Sequence, residues 1–326
     1  VTSWYKKSVD YASTHDIEIA FVSTNSICQG IAVPPLWRYI FSCGFVINFA
    51  HQTFKWNSEA NDKAAVHCVI VCISQKPRMI RRLYNEQRTI EASNISPYLI
   101  PSESLIIDDV HDPICDVPKT SVGSFPTDGG NLVIHSDEYN DFIKSEPLAA
   151  AYVRPYIGPD EFINGKTRYC LWLKDCSPAQ LRKMPNVLSR IEKVRQYRLA
   201  SSKKQTQKRA DTSHLFAEIR QPESDYLLFP RTSSERRRYL PIGFISKDVI
   251  AGDTIIVPDA KIYHFGILES NVHMAWMKIL CGRLKSDYRY SGTLIYNNFP
   301  WPTLSDSQKE KIGKTAQAIL DARNFY

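Results

Sequence analysis

Val66-His-Cys-Val-Ile-Val-Cys-Ile73 is the stretch on which the fold turns. It is an unbroken apolar run rich in β-branched residues, the composition of a strand buried on both faces. A membrane-spanning helix needs about 20 apolar residues, and this run falls far short. Working upstream, Phe45-Val-Ile-Asn-Phe-Ala50 predicts a second strand and Ile17-Glu-Ile-Ala-Phe-Val22 a first, which ends in the polar loop Ser23-Thr-Asn-Ser26. Residues 3–13 and 36–43 pattern as helices, the second opened by Pro34-Pro35 at positions that tolerate proline. A polar connection over 55–63 leads into the third strand, expected over 65–73. Continuous apolar strands alternating with helices indicate an α/β sheet covered on both faces. Three strands and two helices are too few for a doubly wound domain. No Gly-rich turn follows a strand here, so no nucleotide-binding fingerprint is present. The region reads as the second half of an α/β domain.

Downstream the pattern changes. Residues 76–175 are punctuated by proline (Pro97, Pro101, Pro113, Pro118, Pro126, Pro147, Pro155, Pro159), which suggests turns and short strands with a small helix over 138–145. Leu181, Met184, Leu188, Ile191 and Val194 recur at helical spacing and predict a helix over 177–199 with a basic outer face. Residues 201–212 are polar and basic with no apolar anchor, and read as a mobile loop. Short strands are expected over 226–230, 240–245 and 254–257, a buried helix over 268–284, and an amphipathic helix over 306–322.

The 326 residues carry 41 basic and 34 acidic side chains, a formal charge of +7, with 43% hydrophobic and 23% charged residues. That balance excludes wholesale disorder, collagen and coiled coil. Nothing at the start of the chain has the pattern of a secretory leader. Eight cysteines without a CxxC pair make neither a disulfide scaffold nor a zinc site, so reduced thiols are expected. The charge is concentrated. Residues 182–238 hold fifteen basic and six acidic side chains, a surplus of nine, which reads as the footprint of a polyanion or as a solvated helix face and loop.

Several stretches, in order, carry a resemblance. They are Phe21-Val-Ser-Thr-Asn-Ser-Ile-Cys-Gln-Gly30, Phe49-Ala-His-Gln-Thr-Phe-Lys-Trp-Asn-Ser-Glu-Ala60 with Lys63-Ala-Ala-Val-His-Cys-Val-Ile70, and Pro230-Arg-Thr-Ser-Ser-Glu-Arg-Arg-Arg-Tyr-Leu-Pro-Ile-Gly-Phe244. Next come His264-Phe-Gly-Ile-Leu-Glu-Ser-Asn271, Gly282-Arg-Leu-Lys-Ser-Asp-Tyr-Arg-Tyr-Ser291 and Tyr296-Asn-Asn-Phe-Pro-Trp-Pro302. Together they resemble the MmeI-type restriction–modification proteins, which fuse endonuclease, adenine-N6 methyltransferase and target-recognition regions. The resemblance implies an α/β remnant (a partial Rossmann-like methyltransferase sheet) over 1–76, an α+β target-recognition domain over 77–302, and the start of a helical tail over 303–326. The family's Gly-rich loop for S-adenosylmethionine and its Asn-Pro-Pro-aromatic motif are both missing; the one Asn followed by Phe-Pro, Asn298, stands in the wrong context. The implied partner is double-stranded DNA in a bacterial cytoplasm, with no membrane association. No cofactor, catalytic residue or metal is expected in this stretch, and S-adenosylmethionine belongs to the parent enzyme. On this reading the chain alone neither methylates nor cleaves. Rival readings are a complete methyltransferase or nuclease, and a basic protein-interaction domain.

The resemblance makes Phe54 the stacking surface for an extruded base, in a loop before the last hairpin, with Trp56 as backup and Lys55 at a flanking phosphate. The alternative for both rings is hairpin core. In the second site, Arg231, Arg236, Arg237 and Arg238 offer planar forks for phosphate or guanine, and Ser233 and Ser234 offer hydroxyls; internal pairing with Glu235 is the alternative. Lys203, Lys204, Lys208 and Arg209 read as backbone contacts or a solvated loop. Trp301 and its flanking prolines are expected to set the entry of the following helix by packing. His51, His67, His264 and His273 lack ligand spacing. An apolar strand at 17–22 without a neighbour predicts self-association edge to edge, or covering by the helix at 3–13.

Overall fold

All three strands expected at the start of the chain form, and they pair through the third. The computed structural model describes residues 1–56 and 66–324, so the connection expected over 55–63 lies, from residue 57 on, outside the described residues. The described chain divides into two units built from non-contiguous segments. One comprises Val1–Asp116, Thr232–Arg238 and Asn271–Trp301, the other Val117–Arg231, Tyr239–Ser270 and Pro302–Tyr326.

In the first unit, helices α1 (Thr2–Ala12) and α2 (Val33–Ser42) accompany strands β1 (Ile19–Thr24), β2 (Val46–Trp56), β3 (Val66–Ser74), β4 (Arg81–Tyr84) and β5 (Thr89–Ala92). The sheet order is β1-β3-β2-β4-β5. β3 runs antiparallel to both neighbours, and β2 and β4 are parallel. The apolar continuity of β3 follows from this central place. Val69, Val71 and Ile73 join Val9, Trp37, Ile40, Ile47, Ala50 and Leu83 in one core, while Cys68 and Cys72 are buried on the opposite face. Side chains of this size contribute about 1.5–3 kcal/mol each on burial. The Trp37 indole N–H donates to the Ile27 carbonyl at 2.7 Å, so its polar edge is satisfied.

The first strand sits two residues later than expected and lies at the sheet edge among the described residues. Helix α1 lies against it: the Tyr5 ring is 5.0 Å from Phe21, and its hydroxyl is 3.1 Å from that of Ser23. Val22 stays 53% exposed, so the covering is partial. Strand β2 is longer than the apolar pattern suggests and carries two bulges, one between Ile47 and Phe49 and one between His51 and Phe54. At the first, buried Asn48 donates to the Ser74 hydroxyl and the Lys76 carbonyl and accepts from the Arg78 N–H. The side chain amide thereby fixes the turn that follows β3.

The second unit holds two four-stranded sheets. One orders Gly243–Ile245, Tyr226–Pro230, Thr254–Pro258 and Ser121–Val122; the other orders Ile250–Ala251, Val153–Ile157, Arg168–Leu171 and Val133–His135. Three expectations need correction here and in the neighbouring helices. The helix over 177–199 is two helices, Pro178–Leu181 and Pro185–Leu199, because Met184 precedes proline and is held out of helical geometry. Residues 201–212 are not a loop: Lys204–Lys208 is α-helical and Arg209–Thr212 a 3₁₀ turn. The helix over 268–284 is instead Ile262–Leu268, then Asn271–Leu280, with Gly282–Leu284 a strand. The last helix, Asp306–Arg323, opens with a capping box in which Ser305 and Gln308 satisfy each other's backbone N–H groups. No helix of the described residues is long and apolar enough to cross a membrane.

Candidate nucleic-acid interface

The far end of β2 presents an aromatic group. Phe54 lies within the strand rather than in the loop expected for it, opposite Cys68 on β3. His51 packs edge-on to Phe54 with ring centroids 5.0 Å apart, and Trp56 follows at 6.4 Å. Phe54 is half-buried, Trp56 is 47% exposed and Lys55 is exposed. None of the three belongs to the core beneath the sheet.

Also in the first unit, Thr232–Ser233 pairs with Asp287–Arg289, which pairs with Gly282–Leu284. This small sheet sets the arginine run. Glu235 does not pair with its neighbours: its carboxylate lies 3.9 Å from Arg283, and its N–H donates to Asp287 at 3.3 Å. Arg236 and Arg238 are exposed and Arg237 is half-buried; Arg236 and Arg237 have no carboxylate within 4.0 Å among the described residues. Ser234 uses its hydroxyl to accept the Arg236 N–H, and Ser233 lies inside the sheet at 3% exposure rather than on its surface. The sequence reading passed over the hairpin cations. Arg283 stacks on Tyr288 at 4.0 Å, and Lys285 and Arg289 are exposed, Lys285 at the turn with φ of 57°. Their signal was basic residues at alternate positions, Arg283 and Lys285 and, past Asp287, Arg289, a run short enough to escape notice.

In the second unit the basic surplus separates into two populations. Arg198 is fully buried and donates to five backbone carbonyls, those of Pro126, Thr127, Arg209, Thr212 and Leu215, at 2.7–3.1 Å. Burial holds its pKa below the usual guanidinium value. Arg190 pairs with Glu138 at 3.2 Å, Arg195 with Glu192 at 3.9 Å, Arg220 with Glu218, and Arg231 with Asp253 at 2.8 Å. These cations are spent inside the fold or against acids. By contrast Lys203, Lys204, Lys208 and Arg209, like Arg182, Lys183 and Lys193, are exposed, and no described carboxylate lies within 4.0 Å of them. The Arg198 guanidinium holds the carbonyls of Arg209 and Thr212, so the buried arginine orders the backbone that displays the exposed cations.

Gly30, the first glycine after β1, has a φ of 60°, and the place its Cβ would take lies 3.1 Å from the backbone of Gly282, so the chain itself fills that space. No group of three or more His, Cys, Asp or Glu side chains with metal-binding geometry occurs among the described residues. All eight cysteines are free. His273 is buried against the Tyr290 hydroxyl at 3.0 Å, and His264 accepts the Lys261 N–H at 2.8 Å at the start of its helix. Trp301 packs against Tyr296 and Phe299.

Comparison with known proteins gives concordant results. The profile described as "MmeI, target recognition domain" matches residues 101–303, and that described as "MmeI, DNA-methyltransferase domain" matches residues 1–85. A protein of Bacillus subtilis (strain 168), DNA methyltransferase A, is 40% identical over 325 residues, 99% of this chain and 37% of the relative. The solved structure of the type IIL restriction–modification enzyme MmeI in complex with DNA superposes with a TM-score of 0.95 at 44% identity, covering 100% of this chain and 44% of that one. The chain therefore spans less than half the length of either.

Proposed function

The chain belongs to the MmeI family, combining its target-recognition domain with part of its DNA-methyltransferase domain, and from that premise we propose that it binds duplex DNA and recognises its sequence within a longer restriction–modification methyltransferase. One observation carries the reading: Lys203, Lys204, Lys208 and Arg209 are exposed and lack acidic partners among the described residues, while Arg190, Arg195, Arg220 and Arg231 are paired with acids and Arg198 is buried. Cations left without carboxylates are the ones free to displace counterions from phosphate. Arg236, Arg237 and Arg238, with the hairpin residues Lys285 and Arg289, are the candidates for contacts in the first unit, and Arg231 takes part only by leaving Asp253.

The order β1-β3-β2, with β3 antiparallel between the others, supports reading this sheet as the closing part of a Rossmann-like methyltransferase sheet. The division into 1–76, 77–302 and 303–326 stands as part of the same proposal. Phe54 is the proposed stacking surface for an extruded adenine, with Trp56 beside it and Lys55 at a flanking phosphate. S-adenosylmethionine is assigned to the parent enzyme, and this chain is proposed to neither methylate nor cleave alone. The proposed compartment is the bacterial cytoplasm, and β1 is the proposed edge for self-association.

The test is fluorescence anisotropy with labelled duplex at about 50 and about 200 mM salt. Replacing Lys203, Lys204, Lys208 and Arg209 together by alanine is expected to flatten the logarithmic salt slope by about 3–4, at ~0.9 per phosphate contact. Equal slopes for the two proteins would defeat the assignment. Calorimetry with S-adenosylmethionine addresses the rival of a self-sufficient methyltransferase, for which saturable binding to this chain is the signature.

A further inference from the structure

We propose that His51 is a positioning residue, which holds the Phe54 ring in the attitude needed to stack on an extruded base. The proposal rests on the reading of Phe54 as that stacking surface and extends it to a residue that does not touch the base.

The argument starts from strand periodicity. Successive side chains of a strand alternate between faces, so positions 51 and 54, three apart, belong on opposite faces of a regular strand. The bulge in β2 removes this conflict. His51 pairs with Ile70 and Phe54 with Cys68, so three steps along β2 match two along β3. Ile70 and Cys68 share a face, and cross-strand partners share it too; His51 and Phe54 therefore come to the same side. Trp56, two residues on and opposite Val66, falls there as well. Without the extra residue at Gln52–Thr53 the rings would be separated by the sheet.

The local contacts then fix the imidazole. Its Nδ1 lies 2.7 Å from the Gln52 carbonyl, so that nitrogen carries a proton and donates it. Gln52 is itself anchored, donating to the Leu99 carbonyl at 2.9 Å and accepting from Asn85 at 3.1 Å. The held imidazole meets Phe54 at 76° between ring planes, an edge-on contact. Such an arrangement braces one side of the phenyl ring and leaves its remaining exposed surface to a ligand. Burial does not require this contact: His51 and Phe54 are each half-exposed and lie outside the core cluster. A bulge that spends a ladder position to join two half-exposed rings is the kind of irregularity that re-aims a side chain for use.

The experiment uses this chain and a duplex carrying 2-aminopurine as a single unpaired base, whose fluorescence falls when it stacks on an aromatic ring. Quenching is read at saturating protein for the wild type, Phe54→Ala, His51→Ala and His51→Phe. The wild type is expected to quench and Phe54→Ala to lose the quench. His51→Ala is expected to weaken it by about threefold or more, and His51→Phe, which keeps an edge-on ring, to restore it. If neither the wild type nor any variant quenches, the stacking reading fails and this proposal with it. If Phe54→Ala abolishes quenching while His51→Ala keeps it, Phe54 stacks but His51 does not position it. A thermal midpoint measured on each variant separates general destabilisation from this effect, because a purely structural role would lower the midpoint of His51→Ala and leave its quench at the wild-type level.

Discussion

Arg198→Met tests whether a buried cation builds the basic surface of the second unit. Methionine keeps much of the apolar stem but removes every donor of a guanidinium that serves five carbonyl oxygens. A hydrogen bond to a charged group contributes about 1.5–3 kcal/mol, though such values do not add across one side chain. Removing the charge also relieves its desolvation, which offsets part of the loss. What remains is a set of dry carbonyls from Pro126, Thr127, Arg209, Thr212 and Leu215. Each buried acceptor left unsatisfied costs about 1–3 kcal/mol, and because these values do not add across one side chain the whole set is expected to cost about 3–5 kcal/mol. At about 2–4 °C per kcal/mol for a unit of this size, the unfolding midpoint should fall by roughly 10 °C in scanning calorimetry. Hydrogen exchange should locate the damage in Lys204–Lys208 and Arg209–Thr212, whose backbone the guanidinium holds. Arg198→Lys keeps the charge but not the planar fork, and should fall between the two. A midpoint lowered by less than about 2 °C, with unchanged exchange over 204–212, would refute the reasoning.

Four further outcomes follow from the same geometry. Burial, with Lys261 and Lys309 nearby, lowers the His264 pKa from 6.5 to about 4; the unfolded chain therefore binds the proton first, and stability present above pH 6.5 is lost as pH falls toward 4. Between pH 7 and pH 5 that loss is about 2 kcal/mol, and His264→Gln, which can still accept the Lys261 N–H, should flatten the pH dependence of the urea midpoint. Gly30→Ala should cost roughly 1–2 kcal/mol from its φ of 60° alone, with a further penalty where the new Cβ meets Gly282 at 3.1 Å, whereas Gly282→Ala finds its nearest neighbour at 4.0 Å and should be mild. Equal melting temperatures for those two variants would contradict the packing described. Trp37→Ala, removing a fully buried ring and its bond to Ile27, should destabilise by about 3–5 kcal/mol in chemical denaturation. Phe54→Ala, by contrast, should cost under about 1 kcal/mol because the ring lies outside the core; a larger loss would assign Phe54 to the fold rather than to a ligand.

Much of the fold was legible because burial leaves a local trace. The apolar run at 66–73 announced a central strand, and β3 has a neighbour on each side. The helices at α1, α2 and Asp306–Arg323 lie within a few residues of their periodic patterns, since a face packed on a core repeats every three to four residues. The errors fall where a short pattern is cut by a single residue. Met184 before proline divides one helix, and the expected helix over 268–284 gives way after Leu268 and again after Leu280. The residues at 201–212 looked structureless because no apolar side chain anchors them; their anchor is a guanidinium that reaches them from Arg198.

The candidate site divides the same way. By itself the sequence determined that a basic surplus exists between 182 and 238, that two aromatic residues, Phe54 and Trp56, stand close together after the second apolar run, and that the motifs follow one family's order. Those are properties of composition and neighbouring positions. Only tertiary structure decided which cations are free, because the partners of Arg190, Arg198 and Arg231 come from segments distant in the chain. It also decided that His51 and Phe54 share a face, since a bulge exists only in the register between two strands. Side-chain chemistry is written along the chain, whereas pairing and exposure are set by what distant segments bring to the same place.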